Sequence, residues 1–229
     1  MFFTRKSSIL FICFWTVFHT VKAQDNWTGY WQPQLALNYK VTANYSHNFS
    51  LAKRTYLYQD SALDFEIRQL DFVHFSKLKI SDNQSLGLGF QYRFRENFEQ
   101  DKENELRITQ QYNITHKARV LRFGHRLRTE QRITASATIH RFRYRFAMDL
   151  PLQGVELDIG ESYLVLTTES LLSAGKATRP EYDQRITAQL GWLISEKTKF
   201  QLGAEYQAEN YNAVTENVAF LITNLVLSL

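Results

Sequence analysis

The feature that most constrains this chain is a two-residue period that runs through nearly all of it. In "SLGLGFQYRFR", Leu86, Leu88, Phe90, Tyr92 and Phe94 fall on one face, while Ser85, Gly87, Gly89, Gln91, Arg93 and Arg95 fall on the other. The same split recurs in "ELRITQQYNIT", "DQRITAQLGW" and "KFQLGAEYQ", and most sharply in "RFRYRF" at 141–146, where every second residue is an arginine. Successive side chains of a strand point to opposite faces, so such a run suits a β-strand between two different surroundings and does not suit a helix.

About eleven segments carry this pattern: 28–41, 48–58, 64–80, 84–96, 103–115, 118–132, 135–148, 155–169, 182–194, 198–209 and 215–229. The connectors differ in kind. "SDNQ" (81–84), "THKA" (115–118), "PLQG" (151–154) and "SEKT" (195–198) read as tight turns. "ENFEQDKEN" (96–104), "SLLSAGKATRPEY" (170–182) and "AENYNAVTEN" (208–217) read as longer polar loops. Short turns at one end and long loops at the other describe a transmembrane barrel. Single-chain bacterial barrels have an even strand number, so the expectation is an all-β antiparallel transmembrane β-barrel of 10 or 12 strands, the miscount lying in the N-terminal third.

A water-soluble barrel would need its apolar faces for a core. Here those faces repeat Phe, Tyr, Trp and Leu along whole strands, and the opposite faces carry Gly, Gln, Thr and charges, as a polar, arginine-rich lumen would. Tyr30, Trp31, Tyr56, Tyr58, Tyr182, Trp192, Tyr206 and Tyr211 stand near strand ends, where an interfacial girdle is expected. No stretch after residue 23 approaches 18 consecutive apolar residues, the length that would suggest a membrane helix.

The first 23 residues read as a cleaved signal peptide. Arg5 and Lys6 precede an apolar run from Ile9 to Phe18, and Val21-Lys22-Ala23 offers a small-residue cleavage site. Residues 24–229 then form one barrel domain. Removing Arg5, Lys6 and Lys22 leaves 24 of the 27 basic residues against 23 acidic ones, a net charge near +1, so the basic balance of the whole chain does not argue for nucleic acid. Cys13, the only cysteine, leaves with the signal, and no disulfide can stabilise the exported domain.

Eight arginines stand between residues 119 and 145: Arg119, Arg122, Arg126, Arg128, Arg132, Arg141, Arg143 and Arg145, with Glu130 the only acid among them. Arg122, Arg126, Arg128 and Arg132 share one phase, and Arg141, Arg143 and Arg145 another, so adjacent strands would aim both rows at one interior. An arginine facing lipid at mid-membrane costs ~2–4 kcal/mol, which favours the lumen. Two roles fit. The arginines pair with Glu105, Glu130, Glu161, Glu169, Asp183 and Glu205 as a filling network, or they form a track for anions.

A lipid hydrolase is the enzymatic alternative. "VHFSK" sets His74 and Ser76 on one face with Leu70, Phe72, Leu78 and Ile80, a spacing that resembles the His-x-Ser of outer-membrane phospholipases. A serine–histidine pair needs a third group to orient the histidine, and Asp71 lies in the opposite phase. The other histidines after the signal (His47, His116, His125, His140) lack metal-ligand spacing, and no phosphate loop or Cys/His cluster occurs, so neither metal nor cofactor is expected. A loop-based adhesin or receptor is a third possibility.

The runs "HRLRTEQR" (125–132) and "IHRFRYRFAMDLPL" (139–152), with "WQPQLALNYKV" and "YDQRITAQLGW", resemble an uncharacterised family of outer-membrane β-barrels of Gram-negative bacteria, a domain of unknown function. The resemblance covers most of the chain after the signal. It implies the barrel fold and an outer-membrane address, with no substrate, cofactor or catalytic residue to carry over. The expected function is therefore a structural envelope protein or a narrow channel for small polar or anionic solutes. Its expected surroundings are outer-membrane lipid and lipopolysaccharide, reached through the barrel-assembly machinery, with no role in binding nucleic acid.

Overall fold

The computed structural model describes residues 27–176 and 179–229; the expected signal peptide lies outside them. The alternating segments form β1 (Trp27–Lys40), β2 (Tyr45–Gln59), β3 (Ala62–Leu63), β4 (Ile67–Ser81), β5 (Gln84–Phe94), β6 (Glu105–Ala118), β7 (Leu121–Ile133), β8 (Thr138–Pro151), β9 (Ser162–Gly175), β10 (Glu181–Ser195), β11 (Thr198–Glu209) and β12 (Glu216–Ser228). The two-residue β3 pairs only with β2. The other eleven close into one barrel, each antiparallel to its chain neighbour.

Closure corrects the expected even number. β1 pairs with β2 on one side and with β12 on the other, and the second pairing is parallel, from Trp27↔Asn217 to Asn38↔Ser228. An odd number of alternating strands brings first and last strands round in the same direction, so a parallel seam is the only closure available. The ambiguous N-terminal third does hold strands, and the eleven segments correspond one to one with the barrel strands. Evenness was the wrong constraint.

Boundaries moved where turn chemistry misled. The eighth segment, expected at 155–169, is β9 at Ser162–Gly175. "PLQG" therefore opens a ten-residue loop, 152–161, and more than half of the expected 170–182 loop is strand. "THKA" lies in β6; the turn falls at Arg119–Val120, where Arg119 adopts φ 55°. One rim carries the connectors 41–44, 82–83, 119–120, 152–161 and 196–197 and is called the turn rim. The other carries 60–66, 95–104, 134–137, 176–180 and 210–215 and is called the loop rim. Loop 152–161 and turn 134–137 break the short-against-long asymmetry.

Burial is inverted relative to a water-soluble fold. Seven hydrophobic residues are buried among the described residues, against sixteen polar or charged ones, including Arg93, Glu105, Arg107, Glu130, Arg141, Glu169 and Asp183. The outward faces expose Leu35, Phe49, Phe72, Leu86, Leu88, Phe90, Leu127, Phe142 and Ile186. One interior wall is apolar: Val218, Phe220 and Ile222 of β12 pack with Tyr30 and Tyr56. Those two tyrosines, expected in an outer girdle, face inward with ring centroids 4.9 Å apart. Two glycines admit other interior aromatics. A Cβ on Gly89 would lie 2.3 Å from the Phe75 ring, and one on Gly191 2.3 Å from the Tyr163 ring.

Candidate functional site: the ionised interior

Alternation turns Asp71, Arg93, Glu105, Arg107, Arg128, Glu130, Arg132, Arg141, Arg143, Glu169 and Asp183 inward from seven neighbouring strands, β4 to β10, with one phase on each. Strand register then decides who meets whom. Three arginine pairs sit directly across from each other: Arg107↔Arg132 between β6 and β7, and Arg128↔Arg143 and Arg126↔Arg145 between β7 and β8. Like charges directly opposite repel, so each pair calls for an anion.

Two pairs have one built in. Glu105 accepts from Arg107 and lies 2.7 Å from Arg132 Nη2. Glu130 Oε1 lies 3.4 Å from Arg128 Nη1 and 2.8 Å from Arg143 Nη1. Arg143 reaches on to Glu169 Oε2 at 2.5 Å. Around this chain, Arg93 grips Asp71 through two bonds of 2.8 Å, and Arg141 donates to Ser173 Oγ at 2.7 Å and stands 3.6 Å from Asp183. Burial of this order is stable only because every carboxylate finds a guanidinium.

The sequence-derived partners are thus sorted. Glu105, Glu130, Glu169 and Asp183 meet arginines. Glu205 instead accepts from Thr187 Oγ1 at 2.7 Å and from Gln207, and Glu161 sits in loop 152–161, where it accepts from the Asp158 amide. Arg122 lies at the turn rim, paired with Asp149 at 2.6 Å and largely exposed. The pairings of Asp71 with Arg93, of Arg107 with Glu105 and of Asp149 with Arg122 were missed: two of them join different strands and depend on register, and Arg107 meets the Glu105 two residues before it on its own face of β6.

The charges are not spread evenly along the axis. The buried ion pairs all lie in the half nearer the loop rim. There Arg54 also stacks over Tyr30 and Phe220 at 5.2 and 4.7 Å, and Arg68 over Tyr30 at 4.9 Å. Loop 95–104 fastens onto this end through Glu99, which accepts from the Tyr56 hydroxyl and Arg95 and faces Arg68 Nε at 3.4 Å. The half nearer the turn rim holds a cavity of about 540 Å³, reached by Asn38, Ser46, Lys77, Gln111, Asn113 and Arg126, with Lys40, Lys79, Asp82 and Leu229 at its edge.

Glu99 gives this end a pH dependence. Burial alone raises its pKa, but hydrogen bonds from Tyr56 and Arg95 and the charges of Arg68 and Arg95 outweigh it and hold the carboxylate below its ordinary value. A depressed acid contributes stability that is present in full above the unfolded pKa, about 4.3, and is lost as pH falls through the lower folded value. Limited proteolysis within loop 95–104 should therefore accelerate on acidification through that window. Glu99→Gln should show the faster cleavage already at neutral pH, with little further change in acid.

His74 and Ser76 both face outward near the turn rim, as their phase requires, but they do not bond to each other. Ser76 Oγ stands 3.3 Å from His47 Nδ1 and accepts from the Tyr45 hydroxyl at 3.2 Å; His74 Nε2 stands 3.0 Å from the same His47 Nδ1. One ring nitrogen receives both contacts, so no group orients the histidine from its far side. That is not the arrangement of a serine–base–orienter relay. His47 joins this cluster through the β2–β4 register alone, which its place in the sequence did not suggest. Among the described residues no group of three or more His, Cys, Asp or Glu side chains could hold a metal ion.

Fold and interior together define a closed, all-β barrel of eleven strands whose buried charges are cross-linked by ion pairs. The chain belongs to DUF2490, a family of proteins of unknown function, whose model matches residues 27–218. No protein of curated function matches it.

Proposed function

We propose that this protein is a non-enzymatic barrel of the outer membrane, contributing to the envelope as a structural element whose interior is closed to through-flow by its ion pairs. The observation that carries this reading is the inversion of burial: charged residues inside, large apolar residues outside. Water-soluble monomers rarely expose a contiguous apolar patch beyond a few hundred Å². Strands of 11 to 15 residues exceed the roughly 9–11 that a tilted strand needs to cross a bilayer. Outward polar groups also satisfy one another rather than reaching for water. Gln110 bonds Thr129 and Gln131 at 2.7 and 3.1 Å, and Gln184 bonds Ser170 and Thr168 at 2.6 Å each. Outer-membrane lipid and lipopolysaccharide would then surround the barrel, and the assembly machinery would insert it.

Closure of the interior rests on the loop-rim half, where Glu130 and Asp183 are each 3% exposed and Gln69 only 1%. Reconstituted in a planar bilayer across a potassium chloride gradient, the folded protein should pass no stepwise current. Stepwise currents favouring chloride, with selectivity lost on changing Arg143 and Arg145 to Gln, would replace this reading with an anion channel. A hydrolase is disfavoured by the shared nitrogen of His47.

A further inference from the structure

Two of the three cross-strand arginine pairs hold a carboxylate between them. The third, Arg126↔Arg145, does not. Glu169 stands directly across from Arg145 on β9, yet its carboxylate turns to Arg143. Arg126 donates through Nε to Asn113 Oδ1 at 2.8 Å, a neutral acceptor, and Arg145 has no hydrogen-bond or ion-pair partner among the described residues. Two adjacent guanidiniums, each offering a planar fork of donors, thus share one wall without an ion pair to any carboxylate among the described residues, Glu169 being engaged by Arg143.

The surroundings supply an approach. Arg126 lines the cavity of about 540 Å³ that opens at the turn rim, Arg145 stands across from Arg126 on the next strand, and Lys77 lines the same cavity from β4, three strands along the wall. Asp149, the one acid on this part of β8, is taken by Arg122. The cup is therefore basic and wet, and the ion-pair network closes it toward the loop rim.

We propose that Arg126 and Arg145 bind a small water-borne oxyanion, of the phosphate, sulfate or carboxylate class, that enters from the turn rim. The anion takes the place that Glu105 holds between Arg107 and Arg132, and Glu130 between Arg128 and Arg143. Tetrahedral and planar oxyanions both suit two guanidinium forks, and charge-assisted bonds of this kind are the strong ones. The proposal rests on the interior being closed beyond the cup, which makes this a binding site rather than a step along a pore.

The test is calorimetric titration of inorganic phosphate into the refolded barrel in a neutral detergent without lipid, at constant ionic strength set with chloride. Saturable binding is expected, with sulfate competing. Arg126→Gln and Arg145→Gln should each weaken it about ten- to a hundredfold, the loss of one or two charge-assisted bonds. Lys197→Gln, in the turn between β10 and β11, should leave it unchanged. Arg145→Glu builds the missing carboxylate into the wall, and should abolish phosphate binding in a barrel that still shows folded β-sheet by circular dichroism. Binding that survives Arg145→Glu, or no saturable binding to the folded wild type, overturns the proposal. A bilayer current in the wild type would instead overturn the closed interior, so the two readings fail separately.

Discussion

Glu130→Ala is expected to be among the most damaging single substitutions in this barrel. Glu130 is 3% exposed and sits between Arg128 and Arg143, which are directly opposed across β7 and β8. Its removal leaves two buried like charges facing each other, with only Glu169 still in reach of Arg143. Breaking a buried pair by deleting one partner costs about 3–5 kcal/mol, because the stranded charge keeps its desolvation penalty. Equilibrium unfolding in urea, followed by the loss of β-sheet circular dichroism in detergent, should show a midpoint shift of that size. Arg145→Gln is the control. It removes a half-buried charge that makes no ion pair and relieves repulsion with Arg126, so stability should change little. If Glu130→Ala costs no more than an ordinary surface change, about 0.5 kcal/mol, the interior is hydrated and the network does not seal it.

The contrast between these two arginine pairs also marks the limit of what the sequence discloses. Alternation separated two faces on β5, β6, β7, β8, β10 and β11, because one residue type per face leaves no second phase to choose. It placed Arg126, Arg128, Arg132, Arg141, Arg143 and Arg145 on interior faces for the same reason. Pairing is another matter. Whether Glu130 or Glu205 meets an arginine depends on how far each strand slides against its neighbour, and a shift of two residues preserves every facing while changing every partner. The parallel seam between β1 and β12 was likewise out of reach, since it joins residues nearly two hundred positions apart. Tyr30 and Tyr56 read as girdle residues by type and were claimed instead by the apolar interior wall that Val218, Phe220 and Ile222 of β12 form.

Leu88→Arg separates a membrane barrel from a soluble one. Leu88 lies at the middle of β5, faces outward, is 44% exposed and is flanked on its face by Leu86 and Phe90. If water surrounds the barrel, arginine here extends into solvent and changes stability by no more than about 0.5 kcal/mol. If lipid surrounds it, a guanidinium at the bilayer midplane costs ~2–4 kcal/mol, and the cost falls to ~0–1 near the interfaces. The expected result is the second: a loss of that size for Leu88→Arg when the protein is unfolded reversibly from phospholipid vesicles, and a much smaller one for the same change at Leu78, three positions from the turn-rim end of β4. The depth dependence matters more than either value. Uniformly mild effects at both positions would mean that the apolar wall is covered by something other than a bilayer. A steep fall from strand middle to rim is what a hydrocarbon slab, and not a protein partner, imposes on a strand that crosses it.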